Sequence, residues 1–303
     1  MAMLQPESGT AFPKDQSPKS QDPIARIAHL SDVHFGRISD QRVVEALVEE
    51  VNGEGFTLVA VSGDLTQRAR TGQFEQARAF LARFEAPVLV VPGNHDVRAW
   101  WHNPYQRVFR HADRFHKHIT PNETPSFSAP GLSVFGLDSS HGWTFMGGKI
   151  RARHLEAMDT FFDAEPPGGF RVLVLHHHLI VLKELGRTDL ARHADRALAS
   201  AQRAGVELVL CGHYHTSHVS PIETTRPTPE GPRSHRLVVA SAGTATSSRG
   251  RGTNRNVNFY NWITVAADGF TVEERCFNPT TGRFATERTT PFTRKAGTPG
   301  KDG

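Results

Sequence analysis

A chain of 303 residues has room for one large domain or two ordinary ones. No apolar run approaches the ~18 residues that a membrane span requires. The formal charge of +4 is spread along the chain rather than gathered in a block, which argues against a protein that coats nucleic acid and for no more than an anionic small partner.

In chain order, residues 1–23 are rich in Pro, Ser and Lys and lack an apolar stretch, so they read as a disordered tail rather than a secretory signal. IARIAHLSD follows as a strand. SDQRVVEALVEEVNG carries apolar residues at 44, 47, 48 and 51 on one helical face, with Ser39 or Asp40 as N-cap. FTLVAVSGD and APVLVVPGN are strands of the fully buried kind, and the helix between them carries Phe74, Ala77, Leu81 and Phe84 on one stripe. An aromatic stretch, 98–118, reads as helical. LSVFGLDS (strand), ARHLEAMDTFF (helix), FRVLVLHHH (strand), DLARHADRALASAQRAG (helix) and VELVLCGH (strand) continue the alternation. Then the pattern changes. RLVVASAGT, NVNFYNWITVAA and FTVEERCF are strands, the last two joined at Asp268-Gly269, a strong hairpin signal. Alternation followed by antiparallel strands predicts an α/β fold of two packed sheets with helices outside. The domain is expected over 24–280, with 281–303 as a disordered extension.

Two cysteines, Cys211 and Cys276, indicate no disulfide framework and make a reducing cytoplasm the default compartment. Seventeen histidines raise a different question, since histidine is the commonest metal ligand in proteins. His102, His111, His116 and His118 lie in the aromatic stretch and read as packing or surface residues. The others concentrate where buried strands end. The first strand runs into Asp32-Val33-His34, the second into Gly63-Asp64, the third into Gly93-Asn94-His95-Asp96. The fifth ends in His176-His177-His178 and the sixth in Gly212-His213-Tyr214-His215, whereas the fourth ends at Asp138 without such a set. Turn chemistry selects Gly, Asn, Ser and Pro, and gives no reason for imidazole. Ligands of α/β sheets bind at the carboxyl ends of strands. Carboxylates, imidazoles and an amide without thiolate suit Mn, Fe, Zn or Co and not a structural zinc site. The set is too large for one ion and suits two that share a carboxylate, about 3.5–4 Å apart. Residues two apart on an extended segment point the same way, so His213 and His215, like Asp32 and His34, are expected to reach neighbouring ions.

In type and order these motifs resemble the calcineurin-like metallophosphoesterase superfamily, over about residues 24–277. The stretches GDLTQRARTGQFEQARAFL and ASAGTATSSRGR are most similar to its bacterial class III cyclic-nucleotide phosphodiesterases. The resemblance implies a four-layer α/β/β/α sandwich of two mixed sheets and two metal ions, divalent or an iron–divalent pair. Mn or Fe is the first expectation, Zn or Co the second. One ion takes Asp32, His34 and His215; the other takes Asn94, His213 and one histidine of 176–178; Asp64 bridges. Asn94 and His95 face the substrate phosphate, and His95 stabilises or protonates the leaving oxygen. Asp96 orients His95 or serves the loop. The family places proline two residues after its histidine ligand. Leu179 stands there, which selects His177, with His176 as the rival and His178 packing or lining the cleft.

The implied activity is hydrolysis of a cyclic nucleotide or another small phosphodiester, by in-line attack of a hydroxide shared by the metals. Alternatives in the same superfamily are a nuclease, a glycerophosphodiesterase and a pyrophosphatase acting on lipid or nucleotide. A non-enzymatic binding module of the fold is disfavoured because every ligand is present. No stable nucleic-acid partner and no membrane span are expected; a homo-oligomer is compatible. Arg249, Arg251 and Arg255 read as a solvated loop ahead of a phosphate-binding one. Trp100, Trp101 and Tyr105 either cap the cleft or pack.

Overall fold

The computed structural model describes residues 22–97, 112–141, 147–182, 189–226, 231, 233–250 and 256–294. Strand β1 (Ala25–Leu30) lies at the centre of the first sheet, parallel to β2 (Leu58–Val61), which is parallel in turn to β3 (Val88–Val90). On its other side β1 runs antiparallel to β10 (Phe259–Val265), followed by β11 (Gly269–Asn278) and β12 (Arg283–Thr293). The expected hairpin at Asp268-Gly269 joins β10 to β11, closed by Ala266 N–H donating to Gly269 O at 2.8 Å.

The second sheet has the order β4 (Ser126–Ala129), β5 (Leu132–Gly136), β6 (Phe170–Val174), β7 (Leu208–Cys211), β9 (Arg233–Ser241), β8 (His218–Arg226). β5, β6, β7 and β9 are parallel, and the edge strands β4 and β8 are antiparallel to their neighbours. Both sheets are therefore mixed.

Three apolar clusters define the layers. Ile27, Leu58 and Leu89 of the first sheet meet Val134, Val172, Leu208 and Val238 of the second between the sheets. The outer face of the first sheet packs on α1 (Gln41–Gly53), α2 (Thr71–Leu81) and the short α3 (Asp113–His118). That of the second packs on α4 (Ala152–Ala164) and α5 (Ala194–Arg203). The result is the expected α/β/β/α sandwich. The strands buried on both faces read as continuous apolar runs because neither face meets water. α1 begins where Asp40 accepts the Arg42 N–H at 2.9 Å, and it buries Val43, Val44, Leu47, Val48 and Val51. Such a cap contributes about 1 kcal/mol. The apolar stripe does the rest.

One boundary needs correction. The stretch 281–303, expected to be a disordered extension, supplies β12, which pairs with β11 and buries Phe284 and Phe292. β4 and β8 also lacked a sequence signal. β8 reads HVSPIETTR, polar and interrupted by Pro221, and such a segment becomes a strand only at a sheet edge. His116 and His118 pack as expected: His118 stacks on Phe74 with centroids 5.7 Å apart, and His116 Nδ1 lies 3.0 Å from Thr120 O. His102, His111, Trp100, Trp101, Tyr105, Arg251, Arg255 and residues 1–21 lie outside the described residues. Among the described residues, no helix is long and apolar enough to cross a membrane.

Candidate metal centre

The backbone leaves β1, β2 and β7 by left-handed turns. Asp32, His34, Asp64, His213 and His215 all have positive φ, between 52° and 69°. Asp and His are among the few side-chain-bearing residues that enter this region at all, and each such position still costs on the order of 1–3 kcal/mol. Hydroxyl groups hold the strained loop in place. Thr244 Oγ1 donates to Asp32 O at 2.7 Å, Thr246 Oγ1 donates to Val33 O at 2.9 Å, and Ser31 Oγ donates to Asp32 Oδ2 at 2.7 Å. Side chains two apart therefore converge through left-handed turns, not through the extended alternation expected from sequence. As the family resemblance implied, Asp32 and His34 lie in one cluster, whereas His213 and His215 lie in different ones. At Gly63 (φ 94°) and Gly93 the loops touch: a Cβ on Gly93 would sit 2.1 Å from Asp64 Oδ1. Only glycine fits there.

The first cluster is Asp32, His34, Asp64 and His215, all buried, with one donor atom from each within 4.8 Å of the others. His215 Nε2 lies 3.2 Å from Asp32 Oδ1 and 3.4 Å from His34 Nε2, which is 3.6 Å from Asp64 Oδ2. Donors bound to one tetrahedral ion by 2.0–2.1 Å bonds stand about 3.4 Å apart. The second cluster gathers around Asn94. His213 Nδ1 is 3.0 Å and His176 Nε2 is 3.1 Å from Asn94 Oδ1, and His176 Nε2 is 3.5 Å from Asp64 Oδ1. Asp64 thus faces both groups with different oxygens.

Proton bookkeeping shows what these gaps require. His176 Nδ1 lies 2.7 Å from the Ser62 carbonyl, which can only accept, so Nδ1 carries a proton and Nε2 faces the oxygens of Asn94 and Asp64. Burial lowers the pKa of this ring, but the charges on Asp64 and Asp32 outweigh it and raise the pKa above the ordinary value, so Nε2 faces a place that attracts a proton or a cation. Acceptors pointed at one another repel unless a cation or a proton lies between, and a ligating imidazole whose other nitrogen donates to a carbonyl is the usual support of a metal site. Burial lowers the pKa of His34 to about 4, offset in part by Asp32, and holds His213 well below the ordinary value, so both rings are neutral ligands at pH 7. Burial pushes the Asp64 carboxyl up to about 7; His176 opposes this, and the charges on Asp32 and Asp96 add to it. Crowded carboxylates and inward-facing lone pairs fit divalent cations.

His177, favoured by the proline register, has its Nδ1 2.9 Å from Ser139 Oγ and a buried Nε2 without a hydrogen-bond partner. It is His176 that faces Asp64 and Asn94. His177 Nε2 still falls within ligand range of His176 and His213. His178 packs: it stacks on Tyr214 with centroids 4.1 Å apart, and its Nε2 lies 2.9 Å from Gly212 O. Asp96 does not orient His95. Its carboxylate accepts N–H groups of Leu65, Thr66 and Gly93 and the Thr66 hydroxyl, clamping the second and third site loops together. Instead, His95 Nδ1 lies 2.8 Å from the Gln67 carbonyl, which fixes the proton there. Nε2 is then an acceptor, 2.9 Å from Arg249 Nη1. In this tautomer the neutral ring has no proton at Nε2 to give to a leaving group. Gln67 carried no sequence signal; Arg249 did, in its basic loop.

A family model described as calcineurin-like phosphoesterase matches residues 25–217. The chain belongs to that family. Calcineurin-like phosphoesterases use divalent metals, and the two clusters of this member could hold such ions. Among curated relatives it is similar to a protein of Fibrobacter succinogenes named "Probable cyclic nucleotide phosphodiesterase", 25% identical over 66% of this chain and 76% of the relative. It is also similar to the 3',5'-cyclic adenosine monophosphate phosphodiesterase CpdA of Escherichia coli K12, 25% identical over 65% of this chain and 72% of the relative. Of solved structures, the yellow lupin purple acid phosphatase PPD1 superposes with a TM-score of 0.62 at 13% identity, over 91% of this phosphoesterase and a little over half, 55%, of the lupin chain. At that identity the likeness concerns the fold alone.

Proposed function

We propose that this phosphoesterase is a di-metal phosphodiesterase that hydrolyses a cyclic nucleotide or a similar small phosphodiester. The observation that carries the reading is Asp64 facing two donor clusters with its two oxygens, 3.6 Å from His34 and 3.5 Å from His176. Asp32, His34 and His215 would hold one ion, Asn94, His176 and His213 the other, with Asp64 between. His177 gives way to His176 in this assignment because His176 Nε2 is the ring nitrogen aimed at Asn94 and Asp64. Bound there, the ions supply neutralisation of the phosphoryl oxygens and a water of lowered pKa.

The chain's own groups set the geometry. His95 N–H donates to Asp64 Oδ1 at 2.8 Å and His213 N–H donates to Asp32 Oδ2 at 3.0 Å, so both carboxylates are aimed before anything binds. Ser62 O fixes the His176 tautomer, and Gln67 O fixes that of His95. Asn94 and His95 line the phosphate side. His95 there acts as an acceptor that holds Arg249, favouring charge stabilisation over proton donation.

Similarity to cyclic nucleotide phosphodiesterases supports the substrate class. A panel of purified, Mn-loaded enzyme against cyclic nucleotides, bis-aryl phosphates, glycerophosphodiesters and nucleoside monophosphates tests it. Diesters should turn over much faster than monoesters, with a cyclic nucleotide among the best. Fastest turnover of monophosphates would make the protein a phosphomonoesterase, and fastest turnover of glycerophosphodiesters would move the substrate.

A further inference from the structure

Arg249 sits in a basic loop whose sequence reads as solvated ahead of phosphate-binding. The structure ties that loop to the metal loops at several points. Thr244 and Thr246 bond the carbonyls of Asp32 and Val33, Ser39 N–H donates to Thr246 O at 2.9 Å, and Ser247 bridges to Ile38. Thr244, Thr246 and Ser247 are buried. Arg249 N–H donates to Ser247 Oγ at 3.3 Å. The loop is therefore fixed in register with the donor residues, and a fixed backbone delivers its side chain to one place.

That place is beside His95. Arg249 Nη1 lies 2.9 Å from His95 Nε2 and 3.4 Å from Gln67 Oε1, so a half-buried guanidinium is held by two neutral acceptors. His95 is bonded through its own N–H to Asp64, and its ring stands edge-on to His34 with centroids 4.9 Å apart. The cation is thus one side chain away from both donor clusters. A guanidinium stays charged at every working pH, and its planar fork matches phosphate oxygens two at a time, which an ammonium cannot do. A carboxylate in the place of His95 would offset the charge, whereas the imidazole fixes the position of the guanidinium without doing so.

We propose that Arg249 binds the anionic phosphoryl group of the substrate beside His95, with His95 and Gln67 as the residues that position it. This deepens the phosphodiesterase reading and rests on it for the identity of the ester. Arg249 would add a charge-assisted contact to a non-bridging oxygen, and the contact is available equally to an inorganic phosphate.

The test compares metal-loaded wild type with Arg249→Ala, Arg249→Gln and Arg249→Lys. Metal content is read by elemental analysis, orthophosphate binding by calorimetry, and kcat/KM on bis-p-nitrophenyl phosphate and a cyclic nucleotide. The Ala and Gln variants should keep the wild-type metal content and weaken orthophosphate binding about 10–100-fold, the size of one hydrogen bond to a charged group. Their kcat/KM on both diesters should fall by a similar factor, with Lys recovering part. Orthophosphate affinity within about threefold of wild type in the Gln variant overturns the proposal, as does loss of metal in both Ala and Gln variants, which would make the role structural. If wild type hydrolyses no diester while orthophosphate binding still depends on Arg249, the substrate reading fails and the phosphate contact stands.

Discussion

Replacing His176 and His177 by alanine, one at a time, separates a ligand from a neighbour. In the metal-free protein the two changes should look alike. Each removes a buried imidazole and one partner of a buried group, Ser62 O for His176 and Ser139 Oγ for His177, which costs about 1–3 kcal/mol of stability apiece. Metal binding should divide them. Groups that merely support a ligand cost about 10–100-fold in affinity when removed, so losing a ligand should cost at least 100-fold, about 2.7 kcal/mol or more. His176→Ala should therefore lose one of two ions after dialysis against a fixed free-metal concentration, while His177→Ala keeps both. Elemental analysis alongside urea unfolding of the metal-free forms measures both effects. A His177→Ala variant with one ion beside a His176→Ala variant with two would refute the assignment and restore the proline register.

Asp64→Ala should disturb both ions, since its two oxygens face different clusters; a variant with one ion bound at wild-type affinity would sink the shared carboxylate. His95→Ala should keep both ions and lose about 10²-fold in kcat/KM, by the same factor on alkyl and p-nitrophenyl diesters, because the neutral ring carries its proton on Nδ1. A markedly larger loss on the alkyl ester would reinstate His95 as a general acid. His29, buried between Ser62 and Asn261, has its pKa lowered to about 3 by burial, partly opposed by Asp32. The unfolded chain takes up that proton first, so the contribution is fully present above pH 6.5 and is lost as pH falls toward 3, at about 1.4 kcal/mol per pH unit. Between pH 7 and 5, the metal-free wild type should lose about 2 kcal/mol more unfolding free energy than His29→Gln. Parallel losses would show that His29 is not held neutral.

The alternation of buried strands and amphipathic helices was legible because burial on both faces writes an unbroken apolar run and burial on one face writes a helical stripe. The donor residues were legible because imidazole at the end of a buried strand has no turn-forming purpose, and four such ends, with Asp64 at a fifth, lay in order. Several features were not. β8 and β12 are edge strands whose pairing, not composition, makes them strands, so 281–303 read as a tail. The choice between His176 and His177 turns on which ring faces Asn94 once Ser62 O has claimed its Nδ1, a fact about the end of a strand in the opposite sheet, 114 positions away in sequence. The left-handed turns at Asp32 and His34 are held by hydroxyls of a loop more than 200 residues further along the chain, Thr244 on Asp32 O and Thr246 on Val33 O. Arg249 looked like a solvated residue for the same reason. Local sequence determines what a segment buries and which donors it carries, whereas the direction of a side chain in a loop is set by contacts that form only when the two sheets close on each other.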